Sequence, residues 1–251
     1  MKFYKPAVIR QSTDGSLFLS REIHIVKGGD YKVDYHPSEP QRKELIEERI
    51  ELVKSLWHPV LPNLRLSGSC ATRIITEDYS TTPRDVDIAL IANEAVLRFM
   101  INSAAKRYWF LTERRSAKLW ASSQTKHYSF FPRTLDEILT NNEMDQNLEF
   151  TGVNPSTHEI NPRDSIRIYL HRQRWPCLYS IEDGLVIPIE FFTGREFEGL
   201  TLVSRQYLIM RKAKIIESEE SQNPKHLEDL ALLNRSTFKK PVLVLKAQGG
   251  N

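Results

Sequence analysis

The chain has 251 residues, of which 40% are hydrophobic, 27% charged and 10% aromatic, the make-up of an ordinary folded protein; collagenous, low-complexity and disordered classes are excluded. Lys and Arg number 35 against 32 Asp and Glu, a net charge of +3, too small by itself to demand a nucleic-acid partner. Two cysteines, Cys70 and Cys177, cannot build a disulfide framework, and no Cys-x-x-Cys pair points to zinc or redox chemistry. The opening residues lack an apolar stretch of the ~7–15 residues a secretory signal needs, and no run approaches the ~18 of a membrane span. The expected setting is therefore the reducing cytoplasm, with no membrane partner.

In chain order, Leu17 to Leu19, Ile23 to Val26 and Tyr31 to Tyr35 read as short strands, with Gly28-Gly29-Asp30 as a hairpin loop and Pro37 and Pro40 ending the extended region. From Gln41 to about His58, Ile46, Ile50, Val53 and Trp57 recur at helical spacing, which predicts an amphipathic helix. A strand from Leu64 runs into the Gly68-Ser69 turn, and a helix follows from Cys70 to about Glu77. Asp85 to Ile91 reads as a strand and Glu94 to Lys106 as a helix. The middle, to about Pro176, is the least legible part, with strands expected at Tyr108 to Leu111 and Ile166 to Leu170 and a helical turn at Leu135 to Leu139. A hydrophobic strand from Leu185 to Phe192 precedes two helices, Leu202 to about Ser218 and a second opened by Asn223-Pro224. This order predicts an α/β (α+β) fold with a mixed sheet. We expect residues 1–58 to pack on a core of 59–194 that carries an insertion near 106–176, followed by a helical part, 195–251.

The most informative segment is Gly68-Ser69 followed by Asp85-x-Asp87. Residues two apart on a strand share a face, so the two carboxylates project together, roughly 6–7 Å apart along the chain. Such a pair repels itself unless a cation intervenes, and hard oxygen ligands suit Mg2+ carried in with substrate phosphates. A Gly-Ser turn opening a helix offers close backbone approach and free N–H groups to a phosphate, while Ser69 serves equally as a helix cap. No Walker or Rossmann glycine pattern is present, and no Ser/His/Asp order supports a hydrolase triad.

LSGSCATR, PRDVDIAL and the acid in VIPIEFFTG resemble the nucleotidyltransferase-fold superfamily, whose signature is a Gly-Ser turn, Asp-x-Asp on the next strand and a third acid on a later strand. The C-terminal run from Leu202 to Leu233 resembles the helix pair of the abortive-infection type nucleotidyltransferase toxins and related small-molecule nucleotidyltransferases. The resemblance implies Asp85, Asp87 and Glu190 as ligands of two Mg2+ ions, with Asp183 a competitor for the third acid. It also implies Gly68 and Ser69 at the triphosphate and one of Arg211 or Lys212 as the basic residue of the first helix. Lys225 and Asp229 match the second motif, with His226 in place of its usual Asp. One of the acids or Asp229 would take the acceptor proton. Arg73, one turn after Ser69, would reach a phosphate or pair with Glu77; Lys225 and Asp229 read equally as a surface ion pair.

Between Lys106 and Arg133, seven basic residues face the single acid Glu113, with Tyr108, Trp109, Phe110, Trp120, Tyr128, Phe130 and Phe131 interleaved. That mixture suits an RNA end or loop, and a solvated basic face over core aromatics explains it as well. Arg163, Arg167, Arg172 and Arg174 would extend the surface. The resulting expectation is an enzyme, a Mg2+-dependent nucleotidyltransferase moving a nucleoside monophosphate from an NTP, such as ATP, to a hydroxyl on tRNA or another RNA, toxin-like and with an antidote protein as a possible partner. A small molecule or protein acceptor, and a non-catalytic nucleotide-fold module, are the alternatives.

Overall fold

The computed structural model describes residues 3–4, 7–20, 23–27, 38–81, 83, 85–118, 126–140, 148–180, 184–218 and 224–235. The first strands are β1 (Phe3–Tyr4), β2 (Ile9–Gln11), β3 (Leu17–Leu19) and β4 (Ile23–Lys27), followed by α1 (Glu39–Trp57), β5 (Leu64–Ser67), α2 (Gly68–Thr76), β6 (Val86–Ile91) and α3 (Glu94–Ala105). Next come β7 (Trp109–Lys118), β8 (Lys126–Pro132), α4 (Leu135–Thr140), β9 (Leu148–Val153), β10 (Ile160–Arg174), β11 (Cys177–Ser180) and β12 (Val186–Pro188). The chain closes with β13 (Glu196–Phe197), β14 (Leu200–Thr201), α5 (Arg205–Ser218) and α6 (Pro224–Arg235). This is the mixed α/β class expected from the order of elements.

Ten strands form one sheet, in which β1, β4, β8, β7, β9, β10, β11 and β12 follow one another and β6 pairs with both β10 and β5. β6 runs parallel to β10, and β5 is antiparallel to β6. The poorly legible middle thus supplies β10, one of the two strands next to the motif-bearing β6. Because side chains alternate along a strand, the paired registers give this part of the sheet two different faces. Val86 and Ile88 of β6, Ile166 and Ile168 of β10 and Leu148 and Phe150 of β9 line up as an apolar face. On the other face Ser67, Asp87, Arg167, Glu149 and Thr112 form a polar row across five strands.

Helix α1 covers the apolar face. It starts two residues earlier than expected, with Pro40 inside its first turn, where a missing N–H costs nothing, and with the Ser38 N–H donating to Gln41 Oε1 at 2.8 Å. Ile46, Ile50, Val53 and Trp57, the expected helical stripe, are all buried. Trp57 meets Phe150 edge-on at 5.2 Å and donates its indole N–H to the Met100 carbonyl of α3 at 3.0 Å. A second, smaller core gathers Ala7, Leu19, Ala105, Phe110, Phe130, Val153 and Ile160.

Two expectations are corrected here. The strand expected from Leu185 to Phe192 ends at Pro188, and Ile189–Phe191 forms a 3-10 turn; proline has no N–H with which to continue the ladder. The helix expected from Leu202 begins only at Arg205, because Leu202 is bridged to Leu66 and the Val203 N–H donates to the Leu66 carbonyl at 2.9 Å. The strand at Tyr31 to Tyr35, its hairpin loop, Pro37, Asp183 and Asn223 lie outside the described residues. No helix among the described residues is long and apolar enough to cross a membrane.

Trp57→Ala removes the aromatic anchor between α1, α3 and β9, and is expected to cost about 3–5 kcal/mol, the usual range for a large buried aromatic. Urea denaturation followed by circular dichroism measures it; a loss below ~1 kcal/mol would contradict this packing.

Candidate active site

A pocket opens where the start of α2, the polar face of β6 and β10, and helices α5 and α6 converge. Its walls include Ser67, Gly68, Ser69, Asp85, Asp87, Arg167, Tyr169, Arg211, Lys212, Lys225 and His226. The Gly-Ser turn and the Asp-x-Asp pair, 16 residues apart from Ser69 to Asp85 in the sequence, are thus brought into one cavity. The joint is Gly68. Its φ is +61°, and a Cβ there would lie 1.8 Å from Asp87 Oδ2, so glycine is required both by backbone conformation and by contact. Gly68 and Ser69, the first two residues of α2, line the pocket.

The two carboxylates have different surroundings. Asp85, just before β6, accepts from Ser165 Oγ at 3.2 Å and pairs with Arg167 at 3.2 Å. Asp87 accepts from the Tyr169 hydroxyl at 3.4 Å. Burial raises the carboxyl of Asp87 above its ordinary value, and Asp85 adds to the rise, against the pull of Arg167, Lys212 and Lys225. Burial works against the charge of Arg167, but Asp85 and Asp87 outweigh it and hold the guanidinium protonated more firmly than usual. Lys225 is lowered, first by burial and then by neighbouring Lys212. Arg211 lies over the Tyr169 ring at 4.6 Å and donates to Ser180 Oγ at 3.1 Å. Lys212 approaches His226 Nδ1 at 3.3 Å.

Behind the pocket wall lies Asp229, fully buried. It accepts from Ser69 Oγ at 3.0 Å, from Arg73 Nη2 at 2.8 Å, and is paired with Lys212 Nζ at 2.7 Å. Its carboxylate is committed to α2 and α5. It is not among the residues lining the pocket.

Several expected site residues therefore stand elsewhere than anticipated. Glu190 sits exposed on the 3-10 turn after Pro188 and does not line the pocket, because the proline ends the strand that was to carry it inward. Arg73 is buried on Asp229, with Asp78 at 3.6 Å, and is not among the residues lining the pocket. Arg211 and Lys212 both line the pocket, where one was expected. Cys70 is buried beside the Asp85 carbonyl, and burial pushes its thiol up to about 12. In the basic and aromatic middle, Phe110 and Phe130 are core residues and Arg133 pairs with Glu113 at 3.8 Å. Trp120 and the side chains of residues 114–129 lie outside the description.

Sequence reasoning missed Tyr169 and Glu149 and placed Arg167 only in a general basic surface. The signal was the alternation Ser165-x-Arg167-x-Tyr169 between Ile166, Ile168 and Leu170, which puts three polar side chains on one face. The donor set fits one divalent ion: adjacent carboxylates of Asp85 and Asp87, to be completed by phosphate oxygens and water, are the usual hard-ion arrangement. The described residues do not fit a pair of ions. Among the described residues no group of three or more His, Cys, Asp or Glu is placed to hold a metal, and Arg167 occupies the strand position beside Asp87.

No protein-family model matches this chain, and no curated protein does. Among solved structures, ANT(2")-Ia in complex with adenylyl-2"-tobramycin is 9% identical, over 76% of this chain and 90% of its own, with a TM-score of 0.43. TM1012 of Thermotoga maritima, proposed to be a nucleotidyltransferase, is 11% identical, over 83% of this chain and 99% of its own, with a TM-score of 0.34.

Two outcomes follow from the buried charges. Asp229→Asn leaves Arg73 and Lys212 without their counter-ion and is expected to cost about 3–5 kcal/mol, read from urea midpoints. Burial, the largest cause, raises Glu149 from 4.5 to about 7; Asp85 and Asp87 add to it and a hydrogen bond from Ser165 opposes it. Between these values the folded protein keeps a proton that the unfolded chain has released, so stability falls as pH rises through that window and levels off above it. Glu149→Gln should abolish this slope, leaving the variant up to about 3 kcal/mol more stable than wild type at pH 8. Unfolding at pH 4.5 to 8 in chelator checks it, and parallel slopes would refute the assignment.

Proposed function

We propose that the pocket binds a nucleoside triphosphate and transfers its nucleoside monophosphate to an acceptor hydroxyl. The observation that carries this reading is the contact of Gly68 with Asp87, which sets a helix N-terminus against a carboxylate pair. Four side-chain cations, Arg167, Arg211, Lys212 and Lys225, line the same cavity against the two carboxylates Asp85 and Asp87. An anion carrying several charges is what such a lining accepts, and the first N–H groups of α2 receive phosphate oxygens as helix N-termini do.

In the proposed step the acceptor oxygen bonds to the α-phosphorus, and the bond from that phosphorus to the bridging oxygen breaks. Pyrophosphate leaves with the electron pair. The hydroxyl proton goes to the carboxylate of Asp87, which lines the cavity. Asp85 is held in place by Ser165 and Arg167. Lys225 and Arg211 are set to neutralise charge that develops on the departing pyrophosphate. A divalent ion held by Asp85 and Asp87 supplies, when bound, Lewis-acid polarisation of the phosphate.

For the acceptor we propose RNA, a tRNA end among the candidates, on the basic composition of residues 106–133; a toxin-like role with an antidote protein belongs to the same reading. A non-catalytic nucleotide-binding module is the second reading, favoured by Arg167 standing beside the acids and by the distant Glu190.

Incubation with Mg2+ and each of four α-labelled nucleoside triphosphates, with total RNA and cell extract, distinguishes them. Label is expected on RNA, with a loss of at least ~100-fold in Asp87→Asn, the low end for removal of a general base. Label on a small molecule or on protein would reassign the acceptor. Nucleotide binding without transfer to any of them would support the non-catalytic module.

A further inference from the structure

We propose that this pocket works with one divalent ion per nucleotide, the guanidinium of Arg167 standing where a second ion would sit. The inference rests on the nucleotidyl-transfer reading and adds to it the cation content of the site. Across the sheet the order on the pocket face is Asp87, Arg167, Glu149, on three neighbouring strands. Arg167 is therefore the immediate neighbour of Asp87, and it also lies 3.2 Å from Asp85 Oδ2.

The acid that a second ion would need has no place in this row. Glu149 stands two strands from Asp87, about 10 Å at the usual strand spacing, with Arg167 between them. Glu190 is exposed on its 3-10 turn outside the cavity. A second dication beside Asp85 would have to displace or face the guanidinium that lies 3.2 Å from Asp85 Oδ2 and beside Asp87 on the neighbouring strand. The guanidinium already provides a fixed positive charge with planar donors suited to phosphate oxygens. Arg167 is thus placed to contact the substrate phosphates directly, and the ion between Asp85 and Asp87 remains the single metal.

The test counts Mn2+. The full-length protein is dialysed against an equimolar mixture of the α,β-methylene analogues of ATP, GTP, CTP and UTP with Mn2+ in excess, and bound Mn2+ and bound nucleotide are measured. One Mn2+ per bound nucleotide is expected for the wild type. Arg167→Asp should raise the ratio to two, and Arg167→Gln should keep it at one while weakening nucleotide binding at least about tenfold, as loss of a charged hydrogen bond does. Melting curves of both variants report whether they fold, and the wild-type ratio decides the matter even if they do not. Two Mn2+ per nucleotide in the wild type, or none, would overturn the single-ion proposal while leaving nucleotide binding in place. Absence of any bound nucleotide would overturn the functional reading and this proposal together.

Discussion

The arrangement around the pocket depends on one buried carboxylate. Asp229 of α6 holds the start of α2 through Ser69 and Arg73 and the middle of α5 through Lys212. Helices α2, α5 and α6 meet on its two oxygens, and α2 lies far from the other two in the chain. Burying three charged groups is unfavourable unless their geometry satisfies them mutually, and here each oxygen of the carboxylate has a donor within 3.0 Å. The consequence is positional: Ser69 is anchored from behind, and Gly68 and Ser69 line the cavity. Asp229 is in this sense a positioning residue, acting on the site through Ser69 and Lys212.

On the opposite side of the cavity the sheet does the positioning. The same three strands that turn Ile88, Ile168 and Phe150 toward the core turn Asp87, Arg167 and Glu149 the other way. Burial of the apolar face under α1 therefore locks the register of the polar face, since a slip by one residue would exchange the two. Gly68 closes the gap between helix and sheet, because any Cβ at this position would enter the Asp87 carboxylate. The position of Asp87 in the cavity and the stability of the core beneath it are thus coupled through a single strand alternation.

The electrostatics of the cavity are balanced by neighbours more than by solvent. Asp87 is raised while Lys225 is lowered, each chiefly by burial. Arg167, between the two carboxylates and Glu149, compensates acids on either side. An incoming polyphosphate would bring its own negative charge to cations that are already in place, which is how a preorganised site avoids rearrangement during reaction.

How much of this was readable before folding varied with the range of the interaction. The amphipathic stripe of α1, the Gly68-Ser69 turn into α2 and the Asp85-x-Asp87 strand are local patterns, and periodicity and turn chemistry exposed them directly. Lys225, Arg211 and Lys212 were placed near the site by resemblance, and the structure sets all three on the pocket wall. Glu190 was misplaced because Pro188 ends its strand two residues too early for the side chain to turn inward. Arg167 and Glu149 carried no motif; they matter because β10 pairs in parallel with β6 and antiparallel with β9, a register that no local pattern encodes. Asp229, expected either as a proton acceptor by resemblance or as half of a surface ion pair, is instead a buried hub, since burial depends on which helices pack against it. By itself, then, the sequence determined the elements that carry the acidic pair and the pair itself, because backbone propensity and alternation act within a few residues; only the tertiary structure decided which cations surround that pair, because strand register and helix packing are long-range.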